Sequence, residues 1–496
     1  MTYSVHLDID DDGAYALNLT PLLLEARWHI GMAAPDDATA APAGASLRLW
    51  QAPSLQNPAD VLGKALRITH TPPATSPRVL FSGRVTAWQP QAGDLAVGEL
   101  RLAASDALGE LERLACALPE TVAAAPGALI ARLLAALPLR RGALAGRWKV
   151  ARSALGASTR LPPAVPAQLA AGSATLSWSP NLWAGSPTAA AALRDVAQAE
   201  QGRFYAARDG TLTFLGRADL AARETPLLTL TDAAESLVLG AAPQVSRVTI
   251  RLGSSPSPAS EDVIWRCDEA LECPPAATRR VRIRWQTPQG ERIAALAAQP
   301  PRRGTDALFG HNPAIADRPL TQQMSLTLTD TSWHGATLEI RNPTRHTVYL
   351  LPGAVIRGQP FSLGAGPQTE VIDHARLNMV GDHPRFYDLP LLTSVPEASA
   401  LARGILARAA PQERILEMTL DARRHPQALA ASLFDRVRLR LSRPAHDAAY
   451  FITREEHHLS HQGHRHRITW QVTPAFESRW WLLGRRALGS AARLAF

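Results

Sequence analysis

"EQGRFYAARDGTLTFLGR", residues 200–217, gives three structural instructions in succession. Upstream of it, "TAAAALRDVAQAE" (Thr188–Glu200) contains good helix formers and no Gly or Pro, with Thr188 where an N-cap hydroxyl belongs. Gly202 falls where a helix C-terminus favours a left-handed residue. Phe204 and Ala206, then Leu212 and Phe214, alternate with the period of a strand. Between them Asp209-Gly210 is a hairpin turn signal, because glycine reaches positive φ without a Cβ clash. The stretch reads helix, cap, strand, turn, strand. No residue in it pairs into reactive chemistry, and Gly210 is expected to matter more to folding than Arg208.

On the N-terminal side, residues 1 to about 115 are mostly short alternating segments: "YSVHLDI", "ASLRLWQ", "ALRITHT", "RVLFSGRVTAWQP" and "VGELRLAASD". Pro, Gly, Asn or Asp separates them, the pattern of a barrel or sandwich. Two helices follow, "DALGELERLACALP" (Asp106–Pro119), with Asp106 as N-cap, and "APGALIARLLAALP" (Ala125–Pro138). Residues 140–187 are rich in Pro, Ala and Gly and read as loop with one or two short strands. Beyond the hairpin, "QVSRVTIRLG" (Gln244–Gly253) is a strand, and residues 254–320 hold Pro-rich turns and scattered strands. A second β-rich block comprises "QQMSLTLTD", "GATLEIRNPT" and "HTVYLLPGAVIRGQPF", with an Asn342-Pro343 turn. One helix, "EASALARGILARAAP" (Glu397–Pro411), precedes the strands "ERILEMTLDAR", "DRVRLRLSR", "AAYFITREEHHLS" and "HRHRITWQVTP".

At 496 residues, 46% hydrophobic and 19% charged, the chain has the make-up of a multidomain globular protein. It lacks an apolar run of roughly 18 residues, so no membrane-spanning segment is expected. The acidic start "MTYSVHLDIDDDG" has no apolar h-region, so a secretory signal is not expected and folding is assigned to a cytoplasm. The net charge of +8 rests on arginine, Lys64 and Lys149 being the only lysines, and the basic residues are scattered rather than run together as a nucleic-acid stripe. Three cysteines make no disulfide framework. Cys267 and Cys273 are expected to stay unpaired, and Cys116 reads as core.

Several constellations resemble sites without completing one. "DIDDDG" (Asp8–Gly13) matches the first half of a calcium loop, but Leu19 stands where the bidentate Glu belongs, leaving a charged turn. "HHLSHQGHRH" (His457–His466) is the richest cluster of metal-ligand types. A tight turn would set His457 opposite His466, the two weak candidate metal ligands, yet the flanking pattern is an ordinary hairpin, and an exposed tip is the expectation. No G-x-S-x-G or P-loop occurs, "GAGPQT" (Gly364–Thr369) lacks the third glycine of a dinucleotide fingerprint, and no carboxylate couple is evident. Trp88 and Trp470 sit in strand patterns that favour burial over a sugar platform. No catalytic residue, cofactor or metal is assigned.

Taken in order, several segments resemble the tail-hub (baseplate hub, tail-tip) proteins of tailed bacteriophages. "LEARWHIGM" (Leu24–Met32) is similar to their first-strand region, "VLFSGRVTAWQP" to an "lFtGrV" strand, and "LRLAASDALGELER" to the strand and helix closing a first barrel. The 200–217 hairpin resembles their "e.G.ly...dG.l.f..R" element, "ATLEIRNPTRHTVYLLPGAVIRGQPF" a strand pair ending in "lrG.p", and "YFITREEHHLSHQGHRHRITWQVTP" with "WWLLG" their final hairpin. The resemblance implies a β-rich α+β, multidomain fold with two tube-like β-barrels and intervening α/β layers. The division would be 1–116, a barrel that 222–253 can complete; 117–221, α+β with the helix and hairpin; 246–395, a second barrel-like domain; and 396–496, a helix plus β-module. It implies a non-enzymatic homotrimer joining tail tube to tip, with the tail tube or distal tail protein, a tip fibre or spike, and the tape measure protein as partners. Nucleic acid would pass only in transit. The protein would assemble in the host bacterial cytoplasm and reside at the virion tail tip. A cell-wall hydrolase and a receptor- or carbohydrate-binding tail protein are the alternatives, requiring a paired carboxylate cleft or zinc triad and a face of exposed aromatics respectively.

Overall fold

In Leu23–Gly31, Ala26, Trp28 and Ile30 point inward, and the intervening Arg27 and His29 point to the other face. Such a strand has one tolerable register, since a slip of one residue would exchange its two faces. In the computed structural model it pairs on one side with Ala41–Trp50 and on the other with His446–Ser460, so that His457 lies beside Trp28 and Leu459 beside Ala26. The structure describes residues 2–10, 12–73, 76–91, 98–115, 121–137, 167–174, 176–179, 188–241, 245–253, 261–361, 366–409, 413–442, 445–460 and 464–475.

Those contacts build one 13-stranded sheet from both ends of the chain. From one edge its order is Ser236–Ala241, Glu413–Asp421, Arg465–Pro474, His446–Ser460, Leu23–Gly31, Ala41–Trp50, Glu99–Ser105, Arg78–Gln91, Ala65–Thr71, Thr2–Asp8 and Leu17–Asn18. Arg436–Leu441 joins it beside His446–Ser460, with Leu228–Thr231 running parallel to its far side. The β-rich character read from the sequence holds, but among the described residues no sheet closes into a barrel. The strands of 413–474 complete the sheet begun by 2–105, and Arg247–Leu252 leaves it to lie between Gln368–Ile372 and Pro384–Leu389.

Residues 262–361 form a second unit with its own core around Ile264, Trp285, Phe309, Leu338, Ile340 and Ile356. Its backbone is one antiparallel ribbon in three pieces. Asp262–Arg266 pairs Val355–Phe361, Leu271–Cys273 pairs Val348–Leu350, and Thr278–Arg284 pairs Gly335–Arg341. Asn342, expected in a turn, pins the ribbon at a break. Its buried amide nitrogen faces the carbonyls of Cys273, Pro274 and His346 at 3.0, 2.9 and 2.9 Å. Cys267 and Cys273 are free buried thiols, both raised by burial, Cys273 to about 11. Cys116 lies outside the described residues, as do most of 140–187, the start of "GAGPQT" and "WWLLG".

The short helix Ala107–Leu111 begins where Asp106 Oδ1 accepts from the N–H groups of Leu108 and Gly109 at 3.1 and 3.4 Å. Burial raises the Asp106 carboxyl to about 7, against the lowering effect of those backbone hydrogen bonds. A folded value above the ordinary value of about 3.9 means that its contribution is complete below that value and lost as pH rises toward 7. Asp106→Asn keeps the cap without the charge. Relative to the parent it is expected to gain on the order of 2 kcal/mol between pH 5 and pH 8, read as a difference in Tm by calorimetry. A difference that does not change with pH would remove the buried-acid assignment.

Candidate functional site at the sheet–hairpin junction

The helix Ala189–Glu200 forms as the sequence predicts, with Thr188 Oγ1 accepting from Ala191 N at 3.2 Å. Its end differs from the expectation. Gln201 takes the left-handed conformation, φ +54°, and Gly202 is needed for space, since a Cβ there would stand 2.6 Å from Leu215 O. Glu200, fully buried, accepts from the N–H groups of Ser173, Ala174 and Arg217 at 2.8, 2.7 and 3.2 Å. One carboxylate thereby ties the helix to the segment at 173–174 and to the start of the helix Arg217–Ala222. Arg203–Ala206 and Leu212–Leu215 pair as the predicted hairpin, with Gly210 at φ +87° and Thr211 N donating to Asp209 Oδ1 at 3.0 Å.

Arg208 overturns its expected minor role. Its side chain leaves the hairpin and enters the large sheet, where Nε donates to Glu455 Oε1 at 2.7 Å, Nη2 donates to Glu455 Oε2, and Nη1 donates to Leu429 O at 2.7 Å. Glu455 is fully buried and Arg208 is 9% exposed. Burial would raise the Glu455 carboxyl, but the charge and hydrogen bonds of Arg208 override it and hold the group at about 2. This bidentate pair joins the hairpin layer to the strand His446–Ser460.

The histidine cluster also departs from the expectation. His457 and His466 are buried, not at an exposed tip, and the register sets His457 opposite Ile468 and His466 opposite Leu459. A staggered pair still meets diagonally, with His457 Nδ1 and His466 Nε2 3.0 Å apart. His466 Nδ1 lies 2.8 Å from the Tyr3 hydroxyl, and His457 stacks on Trp28 with centroids 4.7 Å apart and planes 6° off parallel. His457 Nε2 faces Glu455 Oε2 at 3.6 Å, an electrostatic contact rather than a hydrogen bond. Burial lowers both imidazoles below 6.5, His466 well below.

The carboxylate can only accept, so it favours the proton of His457 on Nε2. Nδ1 of His457 then accepts from His466 Nε2–H, and His466 Nδ1 accepts from the Tyr3 hydroxyl. With both rings neutral the two short contacts are satisfied, while His457 Nε2 keeps only its electrostatic contact with Glu455. The cluster is a polar brace between the first strand, the last hairpin and the α/β layer. Among the described residues no group of three His, Cys, Asp or Glu side chains stands ready to hold a metal. At the acidic turn, Asp8 accepts from Asp12 N at 3.2 Å and Gly13 N at 2.8 Å, closing its own loop.

The other face of the sheet is charged. Arg48 bridges Glu25 and Glu99 across three strands at 3.1 and 3.0 Å, and His458 Nε2 lies 2.8 Å from Glu25. A concavity of about 810 Å³ opens there between Arg27, His29, Glu235, Glu456 and Arg467. The edge strand Ser236–Ala241 leaves Val238 and Leu239 exposed, 48% and 37%, on a side that pairs with nothing among the described residues. An apolar, unpaired edge is a strand-pairing surface awaiting cover.

No protein-family model matches the chain, and no curated protein matches it. Solved structures do. A tail protein from Neisseria meningitidis MC58 is 10% identical with a TM-score of 0.49, covering 96% of this chain and 98% of that one. The 43 kDa tail protein of prophage MuSo2 from Shewanella oneidensis is 10% identical at a TM-score of 0.47, covering 95% and 98%. An E. coli component of the type VI secretion system, described as similar to the T4 phage tail proteins gp27 and gp5, is 8% identical at 0.35, covering 96% and 76%. Two of these structural neighbours are tail proteins, one of them of a prophage, and the third is a secretion-system component likened to T4 phage tail proteins. At such identities the likeness is one of overall course, and no residue role or partner is carried across from it.

Proposed function

We propose that this chain is the structural hub of a phage tail tip, or of a related phage-like injection particle, and that it has no enzymatic role. The observation that carries the reading is where the hub-like segments lie. "LEARWHIGM", "VLFSGRVTAWQP" and "LRLAASD" near the start of the chain and the final hairpin more than three hundred residues later supply strands to one sheet. The hub-like 200–217 hairpin is bolted to it through Arg208 and Glu455, and "ATLEIRNPTRHTVYLLPGAVIRGQPF" falls in the second unit. Sequence similarity that converges on one three-dimensional object is harder to produce by chance than scattered matches.

In this proposal three subunits form a ring between tail tube and tip. The large sheet of each supplies one tube-like wall and the 246–395 region supplies the second, and the apolar edge at Val238 and Leu239 is covered by a neighbouring subunit. The tube or distal tail protein, the tip fibre or spike and the tape measure protein are its partners, and the genome passes through the channel. No described helix is long and apolar enough to cross a membrane.

Size-exclusion chromatography with light scattering tests the ring. The parent is expected to form trimers, and Val238→Lys with Leu239→Lys is expected to give a folded monomer. A monomer at every concentration that also clears peptidoglycan would favour the hydrolase reading and remove this one.

A further inference from the structure

The strand Thr278–Arg284 reads TRRVRIR, and its alternation turns Val281 and Ile283 toward the core of the second unit while Arg280, Arg282 and Arg284 remain exposed on the opposite face. Arg280 is matched by Glu339 at 2.7 Å across the ribbon. Arg282, Arg284 and the exposed Arg292 have no ion pair among the described residues. These three line a concavity of about 800 Å³ together with Asp330 and His334. The strand is also the outer member of its sheet. It pairs with Gly335–Arg341 on one side and with nothing on the other among the described residues.

We propose that this edge and face receive an acidic β-strand of another protein, added by main-chain hydrogen bonding, with Glu or Asp at alternate positions against Arg282 and Arg284. Alternate residues of any extended strand repeat every ~6.6 Å on one face, so carboxylates two apart on the incoming strand match arginines two apart on this one. Guanidinium groups suit the task because their planar fork takes a carboxylate through two hydrogen bonds. A nucleic acid strand would meet the arginines but would leave the bare carbonyls of the edge facing phosphate oxygens, since its backbone brings acceptors and few donors. The same edge of a second copy is disfavoured by the arginines themselves, which repel a like edge. An acidic strand satisfies both the backbone ladder and the charge. The inference stands on the second unit alone and does not use the hub reading.

The test uses the full chain and a labelled peptide, Thr-Glu-Val-Glu-Val-Glu-Thr, with its Gln-for-Glu analogue and an oligothymidylate as comparison probes. Fluorescence anisotropy should show saturable, salt-sensitive binding of the acidic peptide, little of the Gln analogue, and a loss of about tenfold or more in Arg282→Gln with Arg284→Gln. Arg292→Gln, which lies off the strand, should weaken binding by a smaller factor. All three side chains are exposed, so the variants should melt with the parent. Amide exchange across residues 278–284 should slow on binding. Unchanged affinity in both variants, no slowing at 278–284, or preference for oligothymidylate would each overturn the proposal, the last in favour of nucleic acid.

Discussion

Arg208→Ala is expected to destabilise the protein by about 3–5 kcal/mol, because it leaves the Glu455 carboxylate buried and unpaired. Gly210→Val, which forces a β-branched side chain to a φ of +87°, is expected to cost less, roughly 1–2 kcal/mol or somewhat more. This ranking reverses what the hairpin sequence alone indicates, and parallel thermal melts decide it. A parent-like melt for Arg208→Ala would sink the buried-pair account. The pair is also expected to be replaceable as a unit. Arg208→Met with Glu455→Leu should recover much of the loss, since two well-packed apolar side chains remove the desolvation cost that a lone carboxylate bears. The pH dependence follows from the same group. Its folded value of about 2 lies below the ordinary carboxylate range, so the stabilisation is present above about 4.5 and is lost as pH falls toward 2. The gap between parent and double variant should narrow over that window.

The second large effect concerns His457 and His466. Removing both rings with Ala should cost about 2–5 kcal/mol, from the cavity against Trp28 and the loss of the contact between His466 Nδ1 and the Tyr3 hydroxyl. Here too acid should act. Both folded values lie below 6.5, so the neutral pair contributes above about pH 6.5 and its contribution drains as pH falls, with Glu455 and Arg208 facing one ring and Tyr3 and His70 beside the other. Calorimetry of parent and double variant at pH 7.5 and pH 5.5 should show the difference shrinking in acid. Equal melting temperatures at pH 7.5 would return these residues to the surface.

What the sequence disclosed was local. Thr188, Asp106 and the Asp209-Gly210 turn act within a few residues of themselves, and their chemistry is written in the types and spacings that surround them. The alternation of Leu23–Gly31 likewise announced a strand with one buried face. What it withheld was partnership. Arg208 and Glu455 are 247 residues apart, and either would suit a solvated surface. The His457–His466 stagger depends on a register shift between Ile452 and Arg454 that no residue pattern marks. One signal was available: "REEHHL" places Glu455 and His457 on the same face of the strand as the apolar Leu459. Ionisable side chains on the apolar face of a strand are a reason to look for buried partners.

The union of the first and last strands in one sheet has a consequence for synthesis on the ribosome. Leu23–Gly31 emerges early, yet the neighbour that covers its second edge, His446–Ser460, is made only after more than four hundred further residues have been translated. Through most of elongation the nascent chain carries a bare strand edge and half a core, with Trp28 lacking the imidazole it stacks on. Closure of so long a loop is slow, and the exposed edge invites pairing with neighbouring nascent chains on the same message. The N-terminal half is thus a dependent of the C-terminal strands, and a holdase or trigger-type chaperone bound to the early strands would protect the interval before the last hairpin arrives.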